Sequence, residues 1–138
     1  MSDVGIYVHV PFCLTRCGYC DFNAYAGLDH LAPRYVRSLL AEAELAAPAW
    51  SEDEVVSIFF GGGTPTLLPS YDLTRILGAV DREFGLAPGA EVTTEANPDS
   101  VTPDSLAELR EGGFTRISFG MQSAVPSVLA VLDRTHDP

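Results

Sequence analysis

Lysine is absent. All eight basic residues are arginines, scattered from Arg16 to Arg134, against 19 acidic residues and a formal net charge of −11. Affinity for nucleic acid depends on clustered cations that neutralise phosphates, so this balance argues against nucleic acid as a partner and limits any membrane association to the peripheral kind. Long apolar runs are missing too: none approaches the roughly 18 residues that mark a membrane-spanning helix. The opening MSDVGIYVHV has neither the basic stretch nor the apolar stretch of a signal peptide, and the chain reads as cytoplasmic. Cysteine is scarce. Cys13, Cys17 and Cys20 are the only three, so any disulfide pairing leaves one thiol over, and such a cluster in a cytoplasmic chain favours a metal site.

What is present is a sequence of 138 residues, 46% hydrophobic, enough for one domain with a real core. Four segments rich in β-branched and aromatic residues are each followed by helical apolar spacing, the alternation of βα units on a parallel sheet. The predicted strands are Gly5–Val10, Val55–Phe60, Glu91–Ala96 and Thr115–Gly120. The predicted helices run from about Pro33 to Ala47, from Ser70 to Phe84 with Gly85 as its stop, from Thr102-Pro103 to Gly112-Gly113, and from Pro126 to Asp133. Parallel α/β sheets carry their sites at the C-terminal ends of the strands. Four units leave two sheet edges unpaired, which makes the chain look incomplete and admits the reading of a non-functional or regulatory fragment.

The chemistry-bearing residues fall at those strand ends. Cys13-Leu14-Thr15-Arg16-Cys17-Gly18-Tyr19-Cys20 is a CxxxCxxC loop directly after the first strand. Three thiolates can each bind one iron of a cubane cluster and leave the fourth iron open; a zinc site completed by His9 or His30, or three free cysteines, is the alternative. Arg16 and Gly18 lie inside the loop, as a charge near a cluster and a point of close backbone approach, or simply as loop residues. Gly61-Gly62-Gly63-Thr64-Pro65 ends the second strand, where a backbone without Cβ atoms can approach a ligand or merely turn tightly. Glu95 and Gln122, at the ends of the third and fourth strands, can accept or share hydrogen bonds with ribose hydroxyls, or stand simply as exposed strand-end side chains. Arg134 can complement a helix dipole or pair with a carboxylate. Tyr7 and Tyr19 flank the loop as aromatic walls, and His9 reads as a packed strand residue rather than an iron ligand.

The CxxxCxxC loop resembles that of radical S-adenosylmethionine (SAM) enzymes, in which SAM chelates the open iron and one electron cleaves it to methionine and a 5′-deoxyadenosyl radical. YVHVPFC, CGYCDFN, FFGGGTPTLL, TEANPDSV, RISFGMQS and LDRTHDP together resemble, across nearly the whole chain, the oxygen-independent coproporphyrinogen III dehydrogenases and their haem chaperone relatives. The resemblance implies an α/β fold, a partial (βα) barrel with four of an expected six units. Residues 1–138 then form the N-terminal part of the radical SAM core domain. It also implies a 4Fe-4S cluster on Cys13, Cys17 and Cys20 and SAM contacts from Tyr7, Tyr19, Gly62, Gly63, Thr64, Glu95, Gln122 and Arg134. The dehydrogenases resemble CxxxCxxCxC, whereas Phe22 stands at the last cysteine's place here. Cys20-Asp21-Phe22 is similar instead to the haem chaperone branch, which implies haem as cargo, a haem-receiving respiratory protein and an electron donor. Coproporphyrinogen III oxidation is the alternative.

Overall fold

The computed structural model describes residues 2–138. In chain order the strands are β1 (Asp3–Val10), β2 (Phe12–Cys13), β3 (Tyr25–Ala26), β4 (Glu54–Gly62), β5 (Leu86–Ala96) and β6 (Arg116–Phe119); the helices are α1 (Ala32–Ala46), α2 (Ser70–Phe84), α3 (Pro103–Glu111) and α4 (Pro126–Val131). Strands β1, β4, β5 and β6 lie side by side in that order, and every pair is parallel. Each of the four leads into a helix, so the expected four βα units are all present. Several strands extend beyond their expected bounds, because pairing with a neighbour recruits residues such as Gly61 and Gly62 that have no strand preference of their own.

The sheet has two unlike faces. Val8, Val10, Ile58, Phe60 and Val92 point into the core beneath Val36 of α1, Leu73, Ile76, Leu77 and Val80 of α2, and Leu109 of α3. Phe60 is fully buried and packs its ring 5.1 Å from that of Phe114. One irregularity adjusts the alternation. Opposite Val4 and Gly5, β4 passes from Val55 to Ser57, leaving Val56 as an extra residue. Val55 and Ile58 therefore both face the core, which strict period-2 alternation does not allow. Tyr7, Phe59, Gly61 and Glu95 take the opposite face, with the Tyr7 and Phe59 rings stacked at 6.2 Å.

The helix ends follow their sequence signals with one exception. Thr102 caps α3 by accepting from the Ser105 N–H at 3.1 Å while the Ser105 hydroxyl accepts from the Thr102 N–H at 2.9 Å. Gly85 takes φ 73° after α2 and donates to the Asp81 carbonyl at 2.9 Å. The last helix ends at Val131, short of the expected Asp133. Asp133 turns left-handed at φ 55°, the Asp133 N–H bonds to the Ala130 carbonyl at 3.3 Å, and the Arg134 N–H bonds to the Leu129 carbonyl at 2.9 Å. That is a Schellman turn with aspartate where glycine is usual, and it aims the next side chain back at the sheet. No helix among the described residues is long and apolar enough to cross a membrane.

Truncating Phe60 to Ala should destabilise the fold by about 3–5 kcal/mol, read as a lower urea midpoint with an unchanged slope. A second expectation concerns Tyr35, which donates to the His9 carbonyl and packs edge-on against Phe12 at 5.4 Å. Burial, with the Glu42 carboxylate adding to it, pushes its phenol up to about 12. An absorbance titration should show a last tyrosinate forming near there and missing in Tyr35→Phe. An unfolded tyrosine ionises near ~10, so the stability this group contributes is complete below that pH and is lost as pH rises from about 10 to about 12.

Candidate functional site

Pro11 ends β1, and the chain at once makes a two-residue parallel ladder in which Phe12 faces Tyr25 and Cys13 faces Ala26. This small sheet was not foreseen from sequence, since neither piece is long enough to show a pattern. It closes the cysteine loop on itself. Within the loop the Cys20 N–H bonds to the Cys17 carbonyl at 3.0 Å, and Arg16 reaches the Cys20 carbonyl at 3.4 Å. From outside, the Gly18 N–H donates to the Asp133 carboxylate at 3.2 Å. All three cysteines are unlinked and half-buried.

The glycine turn after β4 is stitched to the same loop. The Gly63 N–H bonds to the Val10 carbonyl and the Thr64 N–H to the Phe12 carbonyl, both at 2.7 Å. A Cβ on Gly63 would stand 2.4 Å from the Phe12 oxygen and 3.0 Å from the Cys13 sulfur; one on Gly62, at φ 112°, would stand 2.7 Å from the His9 ring. The sequence reading takes these glycines as an approach for a ligand. Here the space they leave at Gly62 and Gly63 is filled by the chain itself, which fixes β4 against the cysteine loop.

Glu95 closes the next side. Its carboxylate accepts from the Gly62 N–H at 3.3 Å, and burial raises its proton affinity above the ordinary carboxylate range despite that bond. Burial likewise pushes the Cys13 thiol up, opposed by the Thr64 hydroxyl at 3.9 Å. Arg134 crosses the site. One terminal nitrogen donates to Asn97 Oδ1 at 2.7 Å and to the Gly120 carbonyl, the other lies 3.6 Å from Cys17 Sγ, and Nε is buried without a partner. Gln122 sits at φ 63°, a left-handed position for a residue other than glycine, and His136 holds the preceding Met121 carbonyl at 2.9 Å.

These parts surround one cavity of ≈ 310 Å³. Cys13, Cys17, Cys20, Tyr19, Gly62, Gly63, Thr64, Glu95, Gln122 and Arg134, all singled out from sequence, line it. Tyr7 does not. It stands on the same sheet face, its hydroxyl 3.0 Å from His9 Nδ1, while His9 Nε2 lies 2.7 Å from the Asn23 carbonyl. A carbonyl only accepts, so Nε2 carries the proton and Tyr7 donates to Nδ1. With both ring nitrogens engaged, His9 has no free lone pair for a zinc ion, and His30 lies in the turn before α1, outside the cavity lining. Among the described residues no three His, Cys, Asp or Glu side chains are gathered closely enough for a single ion. Three thiols that line one cavity match what a polynuclear cluster asks of a protein, where each binds its own iron.

Sequence reasoning missed Asn97 and Asp133. In the sequence Asn97 is simply the residue after the third strand and Asp133 the end of the last helix; only folding brings them to Arg134 and to Gly18.

A sequence model of the radical SAM superfamily matches residues 7–138. The chain is 53% identical over 137 residues to "Heme chaperone HemW" of Mycobacterium tuberculosis, covering 97% of this chain and 35% of that protein. It is 39% identical over 140 residues to the Escherichia coli protein of the same name, covering 100% of this chain and 37% of that one. It is 41% identical over 133 residues to "Radical S-adenosyl methionine domain-containing protein 1, mitochondrial" of Bos taurus, covering 95% and 30%. The chain thus spans about a third of the length of the curated relatives it matches. Among solved structures, coproporphyrinogen III oxidase (HemN) from Escherichia coli, described as a radical SAM enzyme, superposes with a TM-score of 0.89 at 32% identity, covering 96% of this chain and 31% of that one. A CxxxCxxC loop stitched to a glycine turn at the ends of parallel strands, with a superfamily match over nearly every residue, leads to one conclusion: this chain belongs to the radical SAM superfamily.

Proposed function

We propose that this chain is the cluster- and SAM-binding part of a cytoplasmic haem chaperone. The observation that carries the cofactor reading is the single cavity lined by all three cysteines, the glycine turn, Glu95, Gln122 and Arg134. Cys13, Cys17 and Cys20 hold the 4Fe-4S cluster. With their N–H groups bonded within the chain, Gly62, Gly63 and Thr64 offer only oxygen acceptors to the amino group at the methionine end of SAM; Glu95 and Gln122 receive its ribose, and Tyr19 walls the site. Arg134 brings a cation fixed by Asn97 and the Gly120 carbonyl toward the carboxylate. Tyr7 acts from behind, holding His9 and through it the segment at Asn23. One-electron reduction of SAM is the chemistry that a bound cluster supplies, with the electron coming from a separate donor protein.

The chaperone reading rests on Phe22 and on the relatives. Phe22 lines the cavity mouth and is largely exposed, where the coproporphyrinogen III dehydrogenases are expected to carry a further cysteine. The named heme chaperones match at up to 53% identity, and haem, passed on to a respiratory protein, is the cargo this implies. The likeness to the Escherichia coli coproporphyrinogen III oxidase favours a second reading, decarboxylation of coproporphyrinogen III propionates. Stoichiometric haem binding by the full-length protein, with no protoporphyrinogen IX formed anaerobically, is the expected result; product without haem binding would establish the second reading instead.

Two further outcomes are expected. Anaerobic reconstitution should load about four irons and four sulfides per chain, with the reduced cluster's paramagnetic signal shifting when SAM is added; Cys17→Ser should lose iron and signal together. Glu95→Gln should keep the cluster yet weaken SAM binding about tenfold, the difference between a hydrogen bond to a charged acceptor, about 1.5–3 kcal/mol, and one to a neutral acceptor, about 0.5–1.5 kcal/mol. Titrating the signal shift with SAM measures it.

A further inference from the structure

We infer that Asn97 is a positioning residue of the cluster site, the one side chain that orients the donors facing two of its cysteine sulfurs. The inference rests on the cluster reading of Cys13, Cys17 and Cys20 given above. The direction of every hydrogen bond follows from one end of the chain of contacts. A guanidinium has only donors, so the Asn97 atom 2.7 Å from Arg134 Nη2 is its oxygen. The amide nitrogen is thereby turned toward Thr64 Oγ1 at 3.3 Å, where it donates. Thr64 accepts from Asn97, and its own hydroxyl proton is left to point at Cys13 Sγ, 3.9 Å away. At the other end, Nη1 of the same guanidinium lies 3.6 Å from Cys17 Sγ.

Asn97 is itself held firmly. Its N–H donates to Ser100 Oγ at 3.0 Å, its carbonyl accepts from the Ser100 N–H at 3.0 Å, and Ser100 Oγ is 2.6 Å from Thr66 Oγ1. One half-buried amide thus sets a polar chain from Arg134 to Thr64 whose two ends meet Cys17 and Cys13. Hydrogen bonds and positive charge at the sulfurs stabilise the more negative, reduced state of an iron–sulfur cluster and raise its potential. Asn97 touches no reacting atom; it acts through Thr64 and Arg134.

The test compares the reconstituted chain with Asn97→Ala, Thr64→Val and the double variant, counting iron and sulfide and titrating the midpoint potential by electron paramagnetic resonance. Asn97→Ala should hold its cluster and move the potential to a more negative value. Thr64→Val should move it by less, and adding Asn97→Ala to Thr64→Val should produce a smaller shift than Asn97→Ala produces alone. An unchanged potential in Asn97→Ala, or full additivity in the double variant, overturns the inference. Should Asn97→Ala fail to take up iron, Asn97→Asp decides. It keeps an acceptor for Arg134 but has no donor for Thr64, whose hydroxyl then turns from Cys13 to the carboxylate, so its potential should also fall; a wild-type potential there overturns the inference. A wild-type chain that takes up no iron overturns the cluster reading, and this inference with it, and differs from a loaded wild type whose variants do not shift.

Discussion

Two backbone hydrogen bonds join the end of β4 to the start of the cysteine loop, Gly63 N–H to Val10 and Thr64 N–H to Phe12, both at 2.7 Å. The arrangement of the site depends on this seam. It exists because Gly63 has no Cβ: the Phe12 carbonyl occupies the space such an atom would take. Once the seam is made, Cys13 is fixed beside Thr64, and the pairing of β2 with β3 returns the far end of the loop to the same place. A loop anchored at both ends can hold three thiols around one cavity without a disulfide or a helix of its own.

The second brace comes from the end of α4. A Schellman turn through Asp133 places two successive side chains on opposite tasks, the carboxylate on the Gly18 N–H and the guanidinium on Asn97, Gly120 and Cys17. In a chain of net charge −11, the guanidinium at the cavity stands against three thiols and the Glu95 carboxylate. Its charge is held in place by fixed acceptors rather than by an ion pair, which leaves it available to whatever anion the cavity receives. The left-handed backbone at Gln122 and Asp133, both at the cavity or its brace, fits the tendency of backbone strain to collect where a site needs a side chain aimed.

The fold is shared with a solved coproporphyrinogen III oxidase at a TM-score of 0.89, so the fold alone does not sort a chaperone from a decarboxylase. In the reading proposed above, the distinguishing position is a single side chain at the cavity mouth. Phe22 presents an exposed ring, a surface for flat apolar matter, in the place where a thiol would offer redox or ligand chemistry.

The amino-acid sequence by itself determined the four βα units and most of the residues of the cavity, because these are written in local signals: period-2 or period-3.6 apolar spacing, a glycine or proline at a boundary, three cysteines in one loop. It also marked Glu95 and Gln122, since strand ends of a parallel sheet converge, and Arg134 as a cation at a helix end. Other features belonged to the tertiary structure alone. The β2–β3 ladder is two residues long on each side and carries no pattern. The Val56 bulge is a mismatch between two strands and is invisible in either one. Tyr7 shares a strand with His9 and lies next to the loop in sequence, yet the sheet turns it outside the cavity, where it serves His9. Asn97 looked like punctuation because its backbone does break a strand; that its amide also joins Arg134 to Thr64 depends on contacts 37 and 33 residues away along the chain. Such contacts are set by how strands and helices pack, and packing is a property of the whole chain.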